Sequence, residues 1–159
     1  MRPAASAPTA LTLALGCDHG GFRLKESLKR WLESQGHRVR DFGTASEAAC
    51  DYPDFALAVA RAVASGTARF GIVIDGAGIG SAMVANKVAG VLAANCPHPD
   101  AARNAREHNY ANVLTLGARF LDDAAAQAVV GAFLTTPEGE ARHLRRVEKI
   151  RALDRTRSL

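Results

Sequence analysis

The sequence predicts an α/β fold in which helices cover both faces of a mostly parallel β-sheet. Short apolar runs alternate with helix-like stretches about five times along the chain, which is the order of repeated strand–helix units. The run at 71–74 is continuously apolar, as in a strand that is buried on both faces of a sheet, whereas the run at 38–42 alternates polar and apolar side chains. The chain has 159 residues, of which 48% are hydrophobic, and this is enough for one core.

The first half of the chain contains three predicted strands and two predicted helices. The run Leu-Thr-Leu-Ala-Leu-Gly is short, apolar and ended by glycine, so it predicts a strand. The stretch after it has apolar residues at helical spacing, and the stretch after Asp51-Tyr52-Pro53 is rich in alanine. The predicted elements are strands at 11–16, 38–42 and 71–74 and helices at 22–35 and 54–65.

The second half repeats the pattern with four predicted helices and two predicted strands. Asp122 is of a residue type that caps helices, and Thr136-Pro137-Glu138 predicts the start of the last helix. The predicted elements are helices at 81–88, 100–107, 122–134 and 136–153 and strands at 91–95 and 113–116.

The composition argues against several classes of protein. No stretch approaches the ~18 apolar residues of a membrane-spanning helix, so we expect no membrane partner. The cysteines at 17, 50 and 96 are far apart and form no C-x-x-C pair, which argues against a disulfide framework and a metal site and favours a cytoplasmic location. Residues 1–10 lack the apolar core of a secretory signal, and we interpret them as a disordered leader before a single domain at 11–159.

Basic residues are concentrated near the C-terminus. The formal net charge is +4, and a basic run of this kind can bind nucleic acid, small anions or only water. Acidic residues such as Glu148 and Asp154 interrupt the run, so we expect no nucleic-acid partner. Arg142 and Arg146 are four residues apart on one helix face, where two guanidinium groups can bind one phosphate. A solvated basic face is an equal alternative.

The loop after the first predicted strand places an acid beside an imidazole. Ligands of parallel sheets bind beyond the carboxyl ends of the strands, so this loop is one place to expect chemistry. Asp18 and His19 lie there, directly before the first helix. In the alternative reading, Asp18 only caps that helix and His19 is only exposed.

The loop Asp75-Gly76-Ala77-Gly78-Ile79-Gly80 is the most informative local feature. Its three glycines at alternate positions let backbone N–H groups approach a ligand, and the helix that follows favours an anion. A nucleotide is the competing ligand, but the dinucleotide fingerprint has glycine or alanine at the position where this sequence has Ser81. The sequence also has no Gly-Lys-Ser/Thr of a P-loop. A tight turn without any ligand remains an alternative.

Polar residues also flank the fifth predicted strand. His108 and Asn109 precede it, and Arg119 follows it. A histidine near the carboxyl edge of the sheet can transfer protons near neutral pH, although a lone histidine is more often structural.

Together these motifs resemble the ribose-5-phosphate isomerase type B family, which includes the galactose-6-phosphate isomerase subunits. The likeness spans about residues 11 to 153 in family order. The matching segments are Gly16-Cys17-Asp18-His19-Gly20-Gly21-Phe22, Leu24-Lys25, Asp51-Tyr52-Pro53, Gly76-x-Gly78-x-Gly80, Ala85-Asn86-Lys87, His108-Asn109, Asn112-Val113-Leu114, Gly117-x-Arg119 and Arg142-His143-x-x-Arg146-Val147.

The resemblance implies a Rossmann-like three-layer sandwich with a five-stranded parallel sheet and a C-terminal helix. It implies an aldose–ketose isomerase of the pentose phosphate pathway that converts ribose 5-phosphate to ribulose 5-phosphate without a metal or other cofactor. It further implies a homodimer, or a dimer of dimers, with active sites at the subunit interface.

The resemblance also implies a role for each matching residue. The backbone of the glycine loop corresponds to the hole for the enediolate oxygen, and His108 to the acid/base that opens the sugar ring. Arg142 and Arg146 correspond to a phosphate clamp that reaches the partner's site. The implied substrate-binding residues are Asp18, His19, Gly76, Ala77, Gly78, Ile79, Gly80, Asn109, Arg119, Arg142 and Arg146.

The sequence departs from the family at the base that removes the carbon-bound proton. Many members have a cysteine where Asp75 stands and a threonine where Ala77 stands, and another branch has a glutamate where Ser81 stands. Asp75 is therefore the natural candidate for the base, and ketosteroid isomerase provides a precedent for an aspartate base. Two alternatives stay open, namely a tetrose or hexose phosphate as substrate and a catalytically weak paralogue that only binds a sugar phosphate.

Overall fold

The computed structural model describes residues 9–156, so most of the leader predicted at 1–10 lies outside the described residues. The described chain contains one five-stranded sheet with the strand order β2-β1-β3-β5-β4. Its strands are β1 (Thr12–Cys17), β2 (Arg38–Asp41), β3 (Phe70–Asp75), β4 (Ala93–Asn95) and β5 (Val113–Gly117). All four strand pairings are parallel, which confirms the predicted sheet.

Helices connect the strands and form the two outer layers. The α-helices are α1 (Phe22–Ser34), α2 (Tyr52–Ala64), α3 (Ile79–Ala85), α4 (Pro99–Asn109), α5 (Asp123–Thr135) and α6 (Ala141–Ala152). Single turns of 3₁₀ helix at His19–Gly21 and Leu153–Thr156 were not predicted from the sequence. Asp122 caps α5 as predicted, because its side chain accepts the N–H of Ala125 at 2.8 Å.

The two faces of the sheet contact different helices. On one face, alternate residues of β1 and β3 such as Leu15 and Ile72 pack against α1, α4 and α5. On the other face, Ala14 and Val73 pack against α2 and α3. The strands β1, β3 and β5 are buried nearly throughout, because both faces of the sheet are covered there, whereas the edge strand β2 is mostly exposed.

The strand order places the ends of β1 and β3 at the centre of the sheet. From β1 the chain passes through α1 to β2 on one side, while β3 pairs with β1 on the other side. The order of the strands therefore reverses between β1 and β3, which is where α/β sheets bind ligands. The loops after Cys17 and Asp75 begin at this point.

The start of the last helix differs from the prediction. The sequence predicts a helix from Thr136, but α6 begins at Ala141. The intervening segment is bonded to the end of α4 instead, because Gly139 N–H donates to Glu107 O at 3.0 Å and the Tyr110 hydroxyl donates to Gly139 O at 2.7 Å. These long-range bonds are not visible in local sequence patterns.

None of the helices between residues 9 and 156 combines the length and the apolar character needed to cross a bilayer.

Candidate active site

The glycine loop (residues 75–80) has a backbone that needs its glycines. Gly78 has φ of 76°, and a Cβ there would lie 2.7 Å from Asn95 Oδ1 and 2.9 Å from the backbone carbon of Leu116. A Cβ on Gly80 would lie 2.5 Å from the ring of Tyr52. Both positions therefore lack space for a side chain, and Gly78 also has a conformation that side chains rarely adopt.

The carboxylate of Asp75 is bonded to its own loop. It is 5% exposed, and Oδ1 accepts the N–H groups of Ala77, at 2.8 Å, and of Gly78. Oδ2 accepts the backbone N–H of Ser81 at 3.1 Å and also the Ser81 hydroxyl. A carboxylate offers about four lone-pair sites, so these bonds occupy all of them. The arrangement gives Asp75 the geometry of a group that shapes the loop, and its role as the base stays a prediction.

Other backbone donors of the loop stay available for a ligand. Within residues 9–156, the N–H groups of Gly76, Ile79 and Gly80 donate to no protein group. Gly76 O is engaged separately, as it accepts the N–H of Arg119 at 3.1 Å. The predicted hole for an oxyanion therefore has donors at three of its five predicted positions, while Ala77 and Gly78 donate to Asp75.

Asp18 and His19 lie beside the glycine loop. Asp18 N–H donates to the carbonyl oxygen of Ile74, the residue before Asp75, at 3.3 Å. Asp18 is 8% exposed. Its Oδ1 accepts the N–H of Gly21 at 3.1 Å, which caps the 3₁₀ turn. The exposed ring of His19 lies with Nδ1 3.2 Å from both the N and the O of Cys50.

Arg119 also lies beside the glycine loop. A Cβ on Gly76 would lie 3.3 Å from Nε of Arg119, so the guanidinium passes over this glycine. The exposed arginine thereby adds a positive charge beside Gly76, and its contact with a substrate stays a prediction.

A second group of predicted residues lies on α4 and α6. We call His108, Asn109, Arg142, His143 and Arg146 the basic cluster. The rings of His108 and His143 are stacked, with centroids 4.1 Å apart and an interplanar angle of 10°. Burial lowers the pKa of His143, and the charges of His108, Arg142 and Arg146 lower it further. Both arginines are exposed, which leaves them accessible to an anion.

The basic cluster and the glycine loop lie at opposite edges of the sheet. Gly117, at the end of β5, pairs with Asp75, whereas Val113, at its start, pairs with Gly71. A strand rises about 3.3 Å per residue, so these two edges are separated by about 13 Å. Because α4 ends just before Val113, His108 is at the amino edge and not, as expected from the sequence, near the carboxyl edge.

Cys17 and Cys96, two of the three thiols, do not replace the cysteine that is missing at position 75. Cys17 and Cys96 are buried, and burial raises the pKa of Cys17 to about 12 and that of Cys96 to about 11. Neither forms a thiolate near neutral pH. Within residues 9–156, no three side chains of the metal-binding types come together.

Three contributors to these groups were not assigned a role from the sequence. Ser81 enters the sequence analysis only as a departure from other motifs, yet it donates two hydrogen bonds to Asp75. Tyr52 covers Gly80, and His143 stacks on His108. The family-like segments that contain Tyr52 and His143 were the available signal, whereas the bonding of Ser81 follows only from the shape of the loop.

Comparisons with known proteins agree with the fold and the motifs. The model of the family described as ribose/galactose isomerase matches residues 13–150. The chain is 42% identical over 146 residues to ribose-5-phosphate isomerase B of Escherichia coli K12, covering 92% of this chain and 98% of that protein. A structure of Clostridium thermocellum ribose-5-phosphate isomerase B superposes with a TM-score of 0.91 at 43% identity, over 92% of this chain and 99% of that one. A Mycoplasma genitalium ribose-5-phosphate isomerase B with bound ribulose-5-phosphate gives a TM-score of 0.87 at 38% identity, over 91% and 96% of the two chains.

Proposed function

The chain belongs to the ribose/galactose isomerase family, and from that premise we propose that it interconverts ribose 5-phosphate and ribulose 5-phosphate through an enediolate. The observation that carries the proposal is the glycine loop, where the N–H groups of Gly76, Ile79 and Gly80 are available at the point where the strand order reverses. The relatives that are named ribose-5-phosphate isomerase B support the choice of substrate.

The available N–H groups suit the chemistry of this reaction. Removal of a proton beside a carbonyl places negative charge on the carbonyl oxygen, and fixed backbone donors stabilise that charge without reorganising. We assign this role to Gly76, Ile79 and Gly80, with Ala77 and Gly78 as structural members of the loop. We also assign contacts with the sugar hydroxyl groups or an anionic intermediate to His19 and Arg119, which lie beside the loop.

The basic cluster supplies the remaining functions. His108 is the acid/base for ring opening, because an imidazole can donate and accept protons near neutral pH. Asn109 lies next to it, and Arg142 and Arg146 bind the phosphate group. None of the described contacts of His108 reaches the glycine loop, since its partners are Asn104, Glu107 and His143.

This separation supports a homodimer in which the basic cluster of one copy completes the glycine loop of the other. Apolar side chains are exposed beside the loop, with Ile79 53%, Met83 64% and Phe120 69% accessible. A surface patch of this kind is typical of an interface. A reducing compartment such as the cytoplasm is part of the proposal, since all three cysteines are free thiols.

An isomerase assay over aldose phosphates of four, five and six carbons tests the proposed substrate. We expect the highest kcat/KM with ribose 5-phosphate. A higher value for a tetrose or hexose phosphate would transfer the proposal to that substrate, as the small side chain of Ala77 allows. Micromolar binding without turnover of any of them would favour a paralogue that only binds, an alternative supported by the occupied carboxylate of Asp75.

Subunit complementation tests the shared site. One inactive variant carries Gly76→Val in the loop, and the other carries Arg142→Ala and Arg146→Ala. If the sites combine residues of two copies, mixed dimers contain one intact site, so refolding the variants together restores activity. Absence of any restoration in a mixture that demonstrably forms mixed dimers would contradict a shared site, while leaving the isomerase assay unaffected.

A further inference from the structure

The structure contains two carboxylates at the point where the strand order reverses, and they differ in how many of their lone pairs accept hydrogen bonds. Asp75 accepts four hydrogen bonds from its own loop. Asp18 accepts one, from the N–H of Gly21 to Oδ1, and Oδ2 accepts none from residues 9–156. Asp18 is thus a residue that is only 8% exposed, and its carboxylate still has free lone pairs.

The carboxylate of Asp18 faces an empty position beside the glycine loop. A carbon atom placed where Gly20 would carry a Cβ lies 3.3 Å from Asp18 Oδ1 and 3.7 Å from the backbone N of Gly76. Gly20 lacks that atom, so the space is open, and Gly20 is itself exposed to solvent. A carboxylate oxygen and an available N–H group therefore flank one position of the size of a substrate atom.

We propose that Asp18 is the base that removes the carbon-bound proton, in the place of the thiol that is absent at position 75. This assignment rests on the proposed isomerase function and specifies its chemistry. A reacting atom must lie close to both the base and the donor that stabilises the oxyanion, and the position beside Gly20 meets both conditions.

The proton transfer balances without any other reactant. Asp18 takes the proton from the carbon beside the carbonyl, the C–H electron pair becomes the C=C bond of the enediolate, and the carbonyl π pair moves to the oxygen that faces the N–H of Gly76. The proton of the neighbouring hydroxyl group passes to that oxygen. Asp18 then returns its proton to the former carbonyl carbon, so the carboxylate is regenerated.

The other groups near this position are less suited to the task. The lone pairs of Asp75 are occupied, and burial keeps the pKa of Cys17 far above neutral. Nδ1 of His19 lies against the backbone of Cys50. The Cys50 thiol lies 4.0 Å from Nδ1 of His19 and contacts no available N–H of the glycine loop.

Exchange of hydrogen with solvent isolates the proposed step from ring opening. Ribulose 5-phosphate in D₂O acquires deuterium at C1 whenever the base removes a proton, and this is followed by NMR. We expect Asp18→Asn to reduce the exchange rate by about 10²–10⁴-fold, the usual contribution of a general base. The unfolding temperature should stay near that of the wild type, since asparagine also caps a helical turn. KM should change much less than kcat.

Two control variants separate the loss of the base from the loss of a cap or a thiol. Asp122 is like Asp18 in that its carboxylate accepts the N–H of the residue three positions later, but it does so at the start of α5. Asp122→Asn should therefore leave the exchange rate unchanged. Cys50→Ser should leave it unchanged as well. Asp18→Gly retains most of the capping, and added formate should partly restore its exchange by occupying the vacated space.

The outcomes distinguish this assignment from the function on which it rests. A wild-type enzyme that neither isomerises nor exchanges would remove the proposed function and the role of Asp18 with it. A wild-type enzyme that exchanges, with Asp18→Asn within threefold of it, would overturn Asp18 alone. Loss of exchange in Cys50→Ser but not in Asp18→Asn would give the role to the thiol instead.

Discussion

The glycine loop and the basic cluster bind charge in contrasting ways. In the loop, the donors are backbone N–H groups whose directions are set by Gly78 at φ of 76° and by the four bonds to Asp75. In the cluster, the donors are the exposed side chains of Arg142 and Arg146 on α6. The donors of the loop are therefore held in place before a ligand arrives, whereas the two arginines are exposed side chains, with Arg142 Nε 3.0 Å from Glu140 Oε2.

This difference suits the two kinds of charge in the proposed reaction. An enediolate exists only briefly, so the groups that stabilise it must already be oriented. A phosphate group is charged throughout the reaction, so arginines bind it in the substrate and in the transition state alike. We therefore expect changes in the loop to affect kcat and changes of Arg142 and Arg146 to affect KM.

The largest effect is expected from Gly78→Ala. The new Cβ would meet Asn95 Oδ1 at 2.7 Å and the backbone of Leu116 at 2.9 Å, in a conformation that side chains rarely adopt. We expect a loss of about 2–4 kcal/mol of unfolding free energy from the combined strain and overpacking. We also expect at least about a 10²-fold lower kcat, because the oxyanion donors move. Urea denaturation and steady-state kinetics measure the two quantities.

Gly66→Ala is the matched control for this change. Gly66 also has φ of 76°, but a Cβ there would meet nothing within 4 Å. Gly66→Ala should lose only the part of the unfolding free energy that comes from backbone conformation, about 1 kcal/mol, and kcat should be unchanged. Equal losses of stability in the two variants would show that space around Gly78 is unimportant and that the loop is less rigid than its contacts indicate.

The features that the sequence could predict are those that depend on local residue types. The apolar strands and the glycine spacing predicted the parallel sheet and the loop, because both depend on local residue types. The segment around Gly139 and the true edge of His108 depend on long-range bonds and on where α4 ends, so local patterns missed them. The bonding of Asp75 was missed for a similar reason, since only the folded turn brings Ser81 back to its carboxylate.

An intermediate effect is expected from removing the two arginines. A hydrogen bond to a charged group contributes about 1.5–3 kcal/mol, so Arg142→Ala with Arg146→Ala should raise KM for ribose 5-phosphate at least about tenfold. Saturating substrate should restore kcat to within a few-fold, because the loop is intact. Arg145→Ala removes a neighbouring exposed charge from the same helix and should change neither value. A fall in kcat at constant KM would reverse the division of roles between the regions.

The smallest effect is expected from the pH dependence of His143. Its folded-state pKa is lowered by burial and by the nearby charges of His108, Arg142 and Arg146, so the unfolded chain binds the proton more readily than the folded one. The stability that depends on neutral His143 is therefore complete above the unfolded pKa of ~6.5 and is lost as the pH falls below it. His143→Phe retains a flat ring against His108 but cannot be protonated. Between pH 7.5 and 5.5 the unfolding temperature of this variant should fall less than that of the wild type, and comparing the two slopes removes any constant change in packing. Equal slopes would mean that the stacked pair does not couple the basic cluster to pH.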